Sequence, residues 1–412
     1  MSGSTRDIVV MGTHPFTAGV PLGDWHLART LARRHRVLWV DPPASPVAPL
    51  RGVASPGMFR RCPVRVSDGL FVASPIVHSG RLRPGHARVV DALVAVQVRR
   101  WMRQLDMADV ELITFSSRFG TLEGIRGRSL AVWLKDRDWA SEEVPHARWL
   151  RARLEALVRA ADVVVGVSDV LVSDCRVLGV DAIRIPHGCD TEHYGHAQPE
   201  PLAVSHLPRP RIVFSGAWNW RVDSDLVAAA AARLPGFTFM VVGATTTAVP
   251  AAANVHRVEA VPYAELPGYL QASDVGIVPY RAGTFNAASC PLKVYEYLAA
   301  GLPVVATGVD TAGLPRHLVR AVDGVDGFVG AIQELASQDL RAACRNEAAN
   351  HSWEARAQAL LNVIDAAGRT PLDETRQPDE TRQPDVSGPP HGTRQPDGTR
   401  QPDGTRQEEW IS

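Results

Sequence analysis

The stretch of sequence that decides the fold runs from Ala272 to Thr307 and reads ASDVGIVPYRAGTFNAASCPLKVYEYLAAGLPVVAT. A short apolar run over 274–278 leads into a loop of small residues. A helix that opens at Pro291 and ends at Gly301 then precedes a second apolar run. Proline suits the first turn of a helix, and glycine suits its C-terminal cap. The stretch therefore predicts a strand, a loop, a helix and a strand of a parallel sheet.

The same alternation of short β-rich runs and longer helical segments extends over residues 1–369. The predicted strands cover 7–11, 37–40, 70–73, 111–115, 130–134, 162–167, 182–185, 211–214, 237–242, 255–258, 274–278 and 303–306. Prolines between 196 and 210 separate two series of these units, because proline resists both helices and central strands. We predict an α/β chain with two Rossmann-like, doubly wound domains that face a central cleft.

The two series and the C-terminal repeats set the predicted boundaries. They are an N-terminal Rossmann-like domain over 1–197, a linker over 198–210, a C-terminal Rossmann-like domain over 211–350, a terminal helix over 351–369 and a tail over 370–412. The tail repeats the sequence TRQPD four times among proline, glycine and charged residues. Because so few of its side chains are apolar, the tail is predicted to be disordered.

Composition excludes several classes of protein. The 412 residues are 45% hydrophobic, and 44 Lys and Arg balance 44 Asp and Glu, which disfavours nucleic acid as a partner. No apolar run reaches the roughly 18 residues of a membrane span, and no signal peptide is recognisable, so a cytoplasmic protein is predicted. Five scattered cysteines without a C-x-x-C pair indicate neither disulfides nor a zinc site. The absence of G-x-G-x-x-G after the first strand disfavours a nicotinamide-dependent oxidoreductase.

The loop and helix of the deciding stretch have the features of a phosphate site. A loop of small residues ahead of a helix offers free backbone N–H groups. Lys293 in the first turn opposes the usual preference for acids there, which favours a bound anion beside it. Glu296 lies on the same helical face, where it either pairs with Lys293 at the surface or accepts hydrogen bonds from the ribose of a nucleotide. The residues alone leave both interpretations open.

This segment resembles the donor-binding motif of GT-B glycosyltransferases, in particular the retaining group called family 4 and its teichuronic-acid-type relatives. In that family the carboxylate of the E-x-L-A-x-G-x-P-V-V helix holds the ribose of a sugar nucleotide, and its position matches Glu296. The runs YAELPGYLQASDVGIVPY (263–280), IPHGCDTEHY (185–194) and SGAWNWRVD (215–223) are also similar, with His187 in place of the family's asparagine. The resemblance implies that the terminal helix crosses back to the N-terminal domain.

The resemblance also implies a set of donor-binding residues: Gly216, Arg221, Ala288, Ser289, Pro291, Leu292, Lys293 and Glu296. Two positions depart from the family. Ala288 stands where the E-x7-E motif has its first glutamate, so a carboxylate contact to the donor sugar is missing or supplied elsewhere. Ala217 replaces the arginine of the G-R-x-x-x-x-K phosphate clamp and leaves Arg221 as the nearest basic side chain.

The N-terminal domain is expected to supply the acceptor site, since ligands of such sheets bind beyond the carboxyl ends of the strands. The acceptor-side candidates follow three predicted strands and are Gly12, Thr13, His14, Ser116, Arg118 and Lys135. The candidates for catalysis are His14, Asp136, Asp138, Arg221 and Lys293, with Asp136 or Asp138 orienting the acceptor. Asp24 is predicted to cap the following helix. The sequence DRD superficially matches a D-x-D metal motif, but that motif belongs to the single-domain glycosyltransferase fold, and no metal is predicted.

Together the residues and the family resemblance imply a metal-independent, retaining glycosyltransferase without a cofactor. Its donor is a nucleotide-diphosphate sugar such as a UDP-sugar, and its acceptor is open. Two alternatives remain: a nucleotide-sugar 2-epimerase of the same fold and a catalytically silent nucleotide- or glycan-binding module. Arginine clusters in the first half allow peripheral contact with a membrane, although solvated helix faces explain them equally well.

Overall fold

The computed structural model describes residues 5–16, 21–43, 60–77, 84–115, 124–125, 127–137 and 146–368. Ser116, Arg118, Asp138 and the tail from 370 onward lie outside the described residues, so the predictions for them are untested. The structure contains two β-sheets with covering helices.

The first sheet is formed by strands from the first half of the chain. These are β1 Asp7–Met11, β2 Arg36–Val40, β3 Val64–Ser67, β4 Leu70–Ala73, β5 Glu111–Thr114, β6 Ser129–Leu134, β7 Val163–Gly166 and β8 Ile183–Arg184. Their order across the sheet is β3-β4-β2-β1-β5-β6-β7-β8. Strand β3 pairs antiparallel with β4, and the remaining neighbours are parallel.

The second sheet follows from residue 211 onward. Its strands are β9 Arg211–Ser215, β10 Thr238–Val242, β11 Val255–Val258, β12 Val275–Pro279, β13 Val304–Thr307 and β14 Val319–Ala321. They are parallel and lie in the order β11-β10-β9-β12-β13-β14. The strand order reverses between β1 and β5 in the first sheet and between β9 and β12 in the second. Crevices at such reversals are the usual ligand sites of α/β sheets.

Helices connect the strands and cover the sheets. They are α1 Gly23–Ala32, α2 Ala87–Gln104, α3 Ala147–Ala160, α4 Asp169–Val177, α5 Thr191–Gly195, α6 Leu202–Ser205, α7 Ser224–Arg233, α8 Leu266–Gln271, α9 Thr284–Ala288, α10 Leu292–Ala300, α11 Gly324–Ala336, α12 Arg341–Ala349 and α13 Trp353–Ala367. We call the first sheet with α1–α4 and α13 the first lobe, and the second sheet with α7–α12 the second lobe. The predicted α/β class with parallel sheets is confirmed.

Strand β1 shows why these sequences form buried parallel strands. Ile8 and Val10 pack into one apolar cluster, Val9 and Met11 pack into another, and all four side chains are fully buried. A run that is apolar at every position suits a strand with both faces covered by helices. Both faces of the first sheet are therefore closed to solvent at β1.

Helix α13 belongs to the first lobe although it comes last in the described chain. The Trp353 indole stacks on the His26 ring of α1 at 5.6 Å between centroids, and only 3% of Trp353 is exposed. The Arg6 guanidinium donates to the Asp365 carboxylate at 2.7 Å. The chain thus returns to its own beginning after it completes the second sheet.

Candidate active site

A cluster of cationic side chains lies just beyond the ends of β9 and β12, where the strand order of the second sheet reverses. The Lys293 ammonium, in the first turn of α10, donates to the Tyr280 hydroxyl at 3.0 Å and lies 4.0 Å from the centre of the Phe214 ring. A Cβ added to Gly216 would stand 3.1 Å from the same ammonium nitrogen. Gly216 also has a φ of +115°, which side chains rarely adopt. A glycine is therefore required where the backbone passes Lys293.

Arg221 completes this group from the loop after β9. Its guanidinium donates to the Asn286 amide oxygen and to the Ser289 hydroxyl, both at 2.9 Å, and lies 4.6 Å from the centre of the Tyr280 ring. Burial alone would raise the pKa of Tyr280, but the charges of Lys293 and Arg221 lower it below its usual value. Two cations thus converge on one phenol, which is an environment suited to an anionic ligand.

Glu296 lies one turn beyond Lys293 on α10. Burial raises the pKa of its carboxyl to about 7, while the Tyr194 hydroxyl and the Lys293 charge oppose the shift. The residue is half-buried. The surface ion pair with Lys293 that the sequence left open does not form in the described part of the chain, since Lys293 bonds to Tyr280 instead.

The segment before α10 differs from its prediction. Residues 284–288 form the short helix α9 rather than a loop, because the Ala287 N–H donates to the Gly283 carbonyl. Pro291 occupies the cap of α10 and Leu292 its first helical position. Ala288 is fully buried, and its carbonyl accepts a hydrogen bond from the Ser168 hydroxyl of the first lobe at 2.7 Å. The Ala288 side chain is therefore hidden from the cleft.

The first lobe meets this segment through the residues that follow β6. The Asp136 carboxylate accepts a hydrogen bond from the Ser289 hydroxyl at 2.7 Å. The next residue, Arg137, pairs with Asp174 at 2.6 Å and donates to the Thr284 carbonyl at 3.3 Å. The structure thus brings Asp136 beside the second lobe, although Asp136 and Ser289 are 153 residues apart in sequence.

A second polar cluster follows β1. Asp24 is fully buried, and its Oδ2 accepts hydrogen bonds from the Thr13 N–H at 2.9 Å and the Thr13 hydroxyl at 2.7 Å. Its Oδ1 lies 3.5 Å from His14 Nδ1 and 3.6 Å from Lys135 Nζ. Lys135 also donates to the Thr13 hydroxyl at 3.1 Å. The acceptor-side candidates Thr13, His14 and Lys135 are therefore held together by one carboxylate.

The prediction that Asp24 caps α1 is wrong. The helix begins at Gly23, Leu22 occupies the cap position without a side-chain hydrogen bond, and Asp24 turns back toward Thr13. Although burial would raise the pKa of Asp24, the charges of Lys135 and His14 and the Thr13 hydrogen bonds lower it to about 2. Burial lowers the pKa of His14, which keeps its imidazole neutral at pH 7. Asp24 is thus part of the cluster rather than a helix cap.

Two predicted residues have packing roles. A Cβ on Gly12 would fall 2.1 Å from the Trp39 indole, so Gly12 allows that ring to pack against the end of β1. The His187 ring lies against Trp353, and burial lowers the pKa of His187 to about 3. The side chain that replaces the family's asparagine is therefore a neutral, buried imidazole.

Several functional candidates escape a reading of the sequence. Tyr280 and Asn286 hold the two cations, and Ser168 contacts the second lobe from the end of β7. Each lies next to a predicted strand end or within the stretch 272–307. Its place in the sequence is therefore the one signal that could have identified it as a candidate. Their partners are distant in sequence and become visible only in the fold.

Known proteins share this arrangement of lobes. Sucrose-phosphate synthase from Thermosynechococcus elongatus superposes with a TM-score of 0.67 at 16% identity, over 88% of this chain and 98% of that one. The chain has the GT-B fold. The catalytic domain of starch synthase IV from Arabidopsis thaliana, bound to ADP and acarbose, shares that GT-B arrangement with a TM-score of 0.62 at 11% identity, over 89% of this chain and 100% of that one.

Sequence comparisons agree with the GT-B fold. Residues 209–345, which include β9–β14, match the family model described as glycosyl transferases group 1. Over 156 residues the chain is 29% identical to TuaH of Bacillus subtilis (strain 168), whose name places it among teichuronic acid biosynthesis glycosyltransferases. The match covers 34% of this chain and 39% of TuaH, so the chain spans well under half of that relative.

Among the described residues, no group of three or more His, Cys, Asp or Glu side chains is placed to hold a metal ion. Within the same ranges, no helix combines the length and the apolar character of a membrane span.

Proposed function

We propose that this protein is a glycosyltransferase that takes a sugar from a nucleotide-diphosphate sugar. The observation that carries the proposal is the convergence of Lys293 and Arg221 on Tyr280 at the start of α10, one turn before Glu296. The match of residues 209–345 to glycosyl transferases group 1 and the name of TuaH support it. A further GT-B structure, the trehalose-6-phosphate protein from E. coli bound with UDP-2-fluoro glucose (TM-score 0.65, 12% identity, 88% of this chain and 99% of that one), supports UDP as a candidate nucleotide.

In this proposal the charges of the site stabilise the departing nucleotide diphosphate. Lys293 lies in the first turn of α10, and Arg221 bonds to Ser289 shortly before that helix. The negative charge that develops on the diphosphate therefore meets two cations and a helix N-terminus. Glu296 accepts hydrogen bonds from the ribose hydroxyls in its ionised form. The cations and the helix supply this stabilisation without a metal ion, and the reaction retains the configuration of the sugar.

The acceptor is proposed to bind against the polar cluster of the first lobe. His14 is neutral, and Lys135 and Thr13 are fixed by Asp24. A neutral imidazole and a fixed ammonium group are able to orient an acceptor hydroxyl. These residues follow β1 and β6, whose carboxyl ends face the cleft.

The first test is nucleotide binding by thermal shift. A diphosphate at about 100 times its Kd should add about 2.7 kcal/mol to the free energy of unfolding. We expect one of UDP, GDP, dTDP and ADP to raise Tm without magnesium, and Glu296→Ala to remove most of that rise. Glu192→Ala, which alters a mostly exposed glutamate, is the matched control. Failure of all four nucleotides to bind would contradict the proposal.

Turnover separates the proposal from its alternatives. A glycosyltransferase releases the nucleotide diphosphate as it glycosylates an acceptor, whereas a 2-epimerase interconverts two nucleotide sugars without an acceptor. A silent module binds the nucleotide and releases no sugar. Incubation with radiolabelled nucleotide sugars, with and without candidate glycan or lipid-linked acceptors, distinguishes the three by their products.

We further propose that the first lobe touches an anionic membrane surface through α2. Val89, Leu93 and Val96 project from one side of this helix with 53%, 42% and 53% of their surfaces exposed. Exposed arginines on the same helix are Arg88, Arg99, Arg100 and Arg103. The acid of α2, Asp91, pairs with Arg153 of α3 at 3.0 Å. A face of apolar and basic side chains suits the boundary between lipid headgroups and acyl chains.

Vesicle sedimentation tests this surface. We expect binding to phosphatidylglycerol vesicles, weaker binding to phosphatidylcholine vesicles, and loss of binding when Leu93 and Val96 are replaced by serine. Leu202→Ser is the control, because Leu202 is 89% exposed and lies on α6, outside the first lobe. Equal vesicle binding by the wild type, the variant of Leu93 and Val96, and Leu202→Ser would rule out this role for α2.

A further inference from the structure

Position 288, just before α10, carries no carboxylate, and the nearby Asp310 of the second lobe is held by Arg184 and by the Asp169 N–H. Position 288 carries alanine, its side chain is fully buried, and its carbonyl is already bonded to Ser168. The next residue, Ser289, is polar but uncharged. If the sugar of the donor meets an acidic side chain at this place, that side chain comes from elsewhere in the fold.

The first lobe brings a carboxylate to the same place. Asp136 follows β6, and its Oδ1 accepts the hydrogen bond of the Ser289 hydroxyl at 2.7 Å. Ser289 in turn accepts a hydrogen bond from Arg221 at 2.9 Å. The charge of Asp136 also acts on the buried Tyr280 hydroxyl, which binds Lys293. Asp136 therefore lies beside the residue that follows position 288 and close to both proposed phosphate-binding cations.

We infer that Asp136 is the catalytic carboxylate that faces the transferred sugar, and that it replaces from the first lobe the acidic side chain absent at Ala288. The inference rests on the proposed transferase function and changes the role of Asp136 from orienting the acceptor to stabilising the donor sugar. The hydrogen bond to Ser289 fixes the carboxylate where the two lobes meet.

A carboxylate beside the sugar suits the chemistry of sugar transfer. As the bond between C1 of the sugar and the diphosphate oxygen breaks, its electron pair stays with the diphosphate and positive charge develops on the sugar ring. The acceptor oxygen then bonds to C1, and its proton passes to a diphosphate oxygen. Asp136 forms no covalent bond in this step. It stabilises the ring charge, while Lys293 and Arg221 stabilise the opposite charge on the leaving group.

Replacement of Asp136 by asparagine separates charge from geometry. Asparagine still accepts the hydrogen bond from Ser289, so Asp136→Asn removes the negative charge and preserves the contact between the lobes. The control is Asp174→Asn, which removes a carboxylate that pairs with the adjacent Arg137 and so tests for displacement of the loop after β6. Each protein is measured for nucleotide-diphosphate binding by calorimetry and for turnover of the nucleotide sugar that the wild type uses.

We expect Asp136→Asn to bind the diphosphate within about twofold of the wild type and to lose about a hundredfold or more in kcat, a typical cost of removing one electrostatic stabiliser. Asp174→Asn should stay within about threefold in both measurements. A normal kcat in Asp136→Asn, or an equal loss in Asp174→Asn, would overturn the assignment while leaving the transferase function intact. A wild type that binds no nucleotide would overturn both.

Discussion

The Lys293 ammonium donates to the Tyr280 hydroxyl at 3.0 Å, although Glu296 lies one helical turn away on the same helix. The pairing directs the cation toward the ends of β9 and β12 and leaves the Glu296 carboxyl beside the Tyr194 hydroxyl. Cation and carboxyl are therefore presented to a ligand as two separate groups. This separation matches a nucleotide, whose phosphates and ribose require opposite kinds of partner.

The first prediction concerns the cation. Lys293→Met removes the charge and keeps most of the side-chain volume, so folding should change little. A hydrogen bond to a charged group contributes about 1.5–3 kcal/mol, and nucleotide-diphosphate affinity should fall about 10- to 100-fold. Calorimetry on this variant and on the exposed-site control Arg257→Met checks the value. An unchanged Kd in Lys293→Met would place the phosphates elsewhere.

The second prediction concerns pH. Because burial raises the pKa of Glu296 from 4.5 to about 7, the folded protein binds a proton there that the unfolded chain has lost. Its contribution to the free energy of unfolding should therefore fall as pH rises from 4.5 to 7. Nucleotide affinity should rise over the upper part of that range, since the ionised carboxylate accepts the ribose hydrogen bonds. Glu296→Gln should flatten the pH dependence of both the free energy of unfolding and the nucleotide affinity. If either quantity still changes with pH as in the wild type, another group is responsible for the titration.

The third prediction concerns the buried carboxylate of the first lobe. Asp24→Ala leaves Lys135 without its buried counter-ion and should destabilise the protein by about 3–5 kcal/mol. Because the pKa of Asp24 is lowered from 3.8 to about 2, its contribution is present above pH 4 and is lost as pH falls toward 2. Urea denaturation at pH 7 and pH 3 measures both effects. A loss below about 1 kcal/mol at pH 7 would show that Lys135 has another partner.

The fourth prediction concerns Gly216. Alanine at this position adopts an unfavourable φ of +115° and brings a Cβ to 3.1 Å from Lys293 Nζ. Gly216→Ala should therefore cost about 1–2 kcal/mol of stability and weaken nucleotide binding. Gly236→Ala is the control, because no atom lies within 4 Å of its added Cβ. Equal stability of the two variants would contradict the strain at Gly216.

The sequence predicted the class of fold because parallel strands buried on both faces are apolar at nearly every position, as in β1. Strand β3 escaped prediction because its side chains are exposed, and β14 because it has only three residues. The helical form of 284–288 also escaped, since small residues before a proline resemble a loop. Strand ends and helix starts, by contrast, single out Lys293, Glu296 and Asp136 as candidates, and their roles stay predictions.

The contacts of those residues, by contrast, could not be predicted from local sequence patterns. The hydrogen bond from Ser289 to Asp136 joins segments that are distant in sequence, and so does the ion pair of Asp24 with Lys135. Periodicity and turn chemistry carry information about near neighbours, so neither indicates which distant side chains meet. The cap prediction for Asp24 fails for this reason, since the local pattern suggests a cap and the half-buried Lys135 lies 111 residues later.

The return of α13 to the first lobe has a consequence for dissecting the protein. Trp353 covers His26 and His187, and Asp365 pairs with Arg6 near the beginning of the chain. A fragment that stops after the first sheet would therefore expose an apolar seam along α1 and leave Arg6 with one partner fewer. The first lobe is therefore discontinuous in sequence, because α13 follows the second sheet. Any single cut between the two sheets separates α13 from α1.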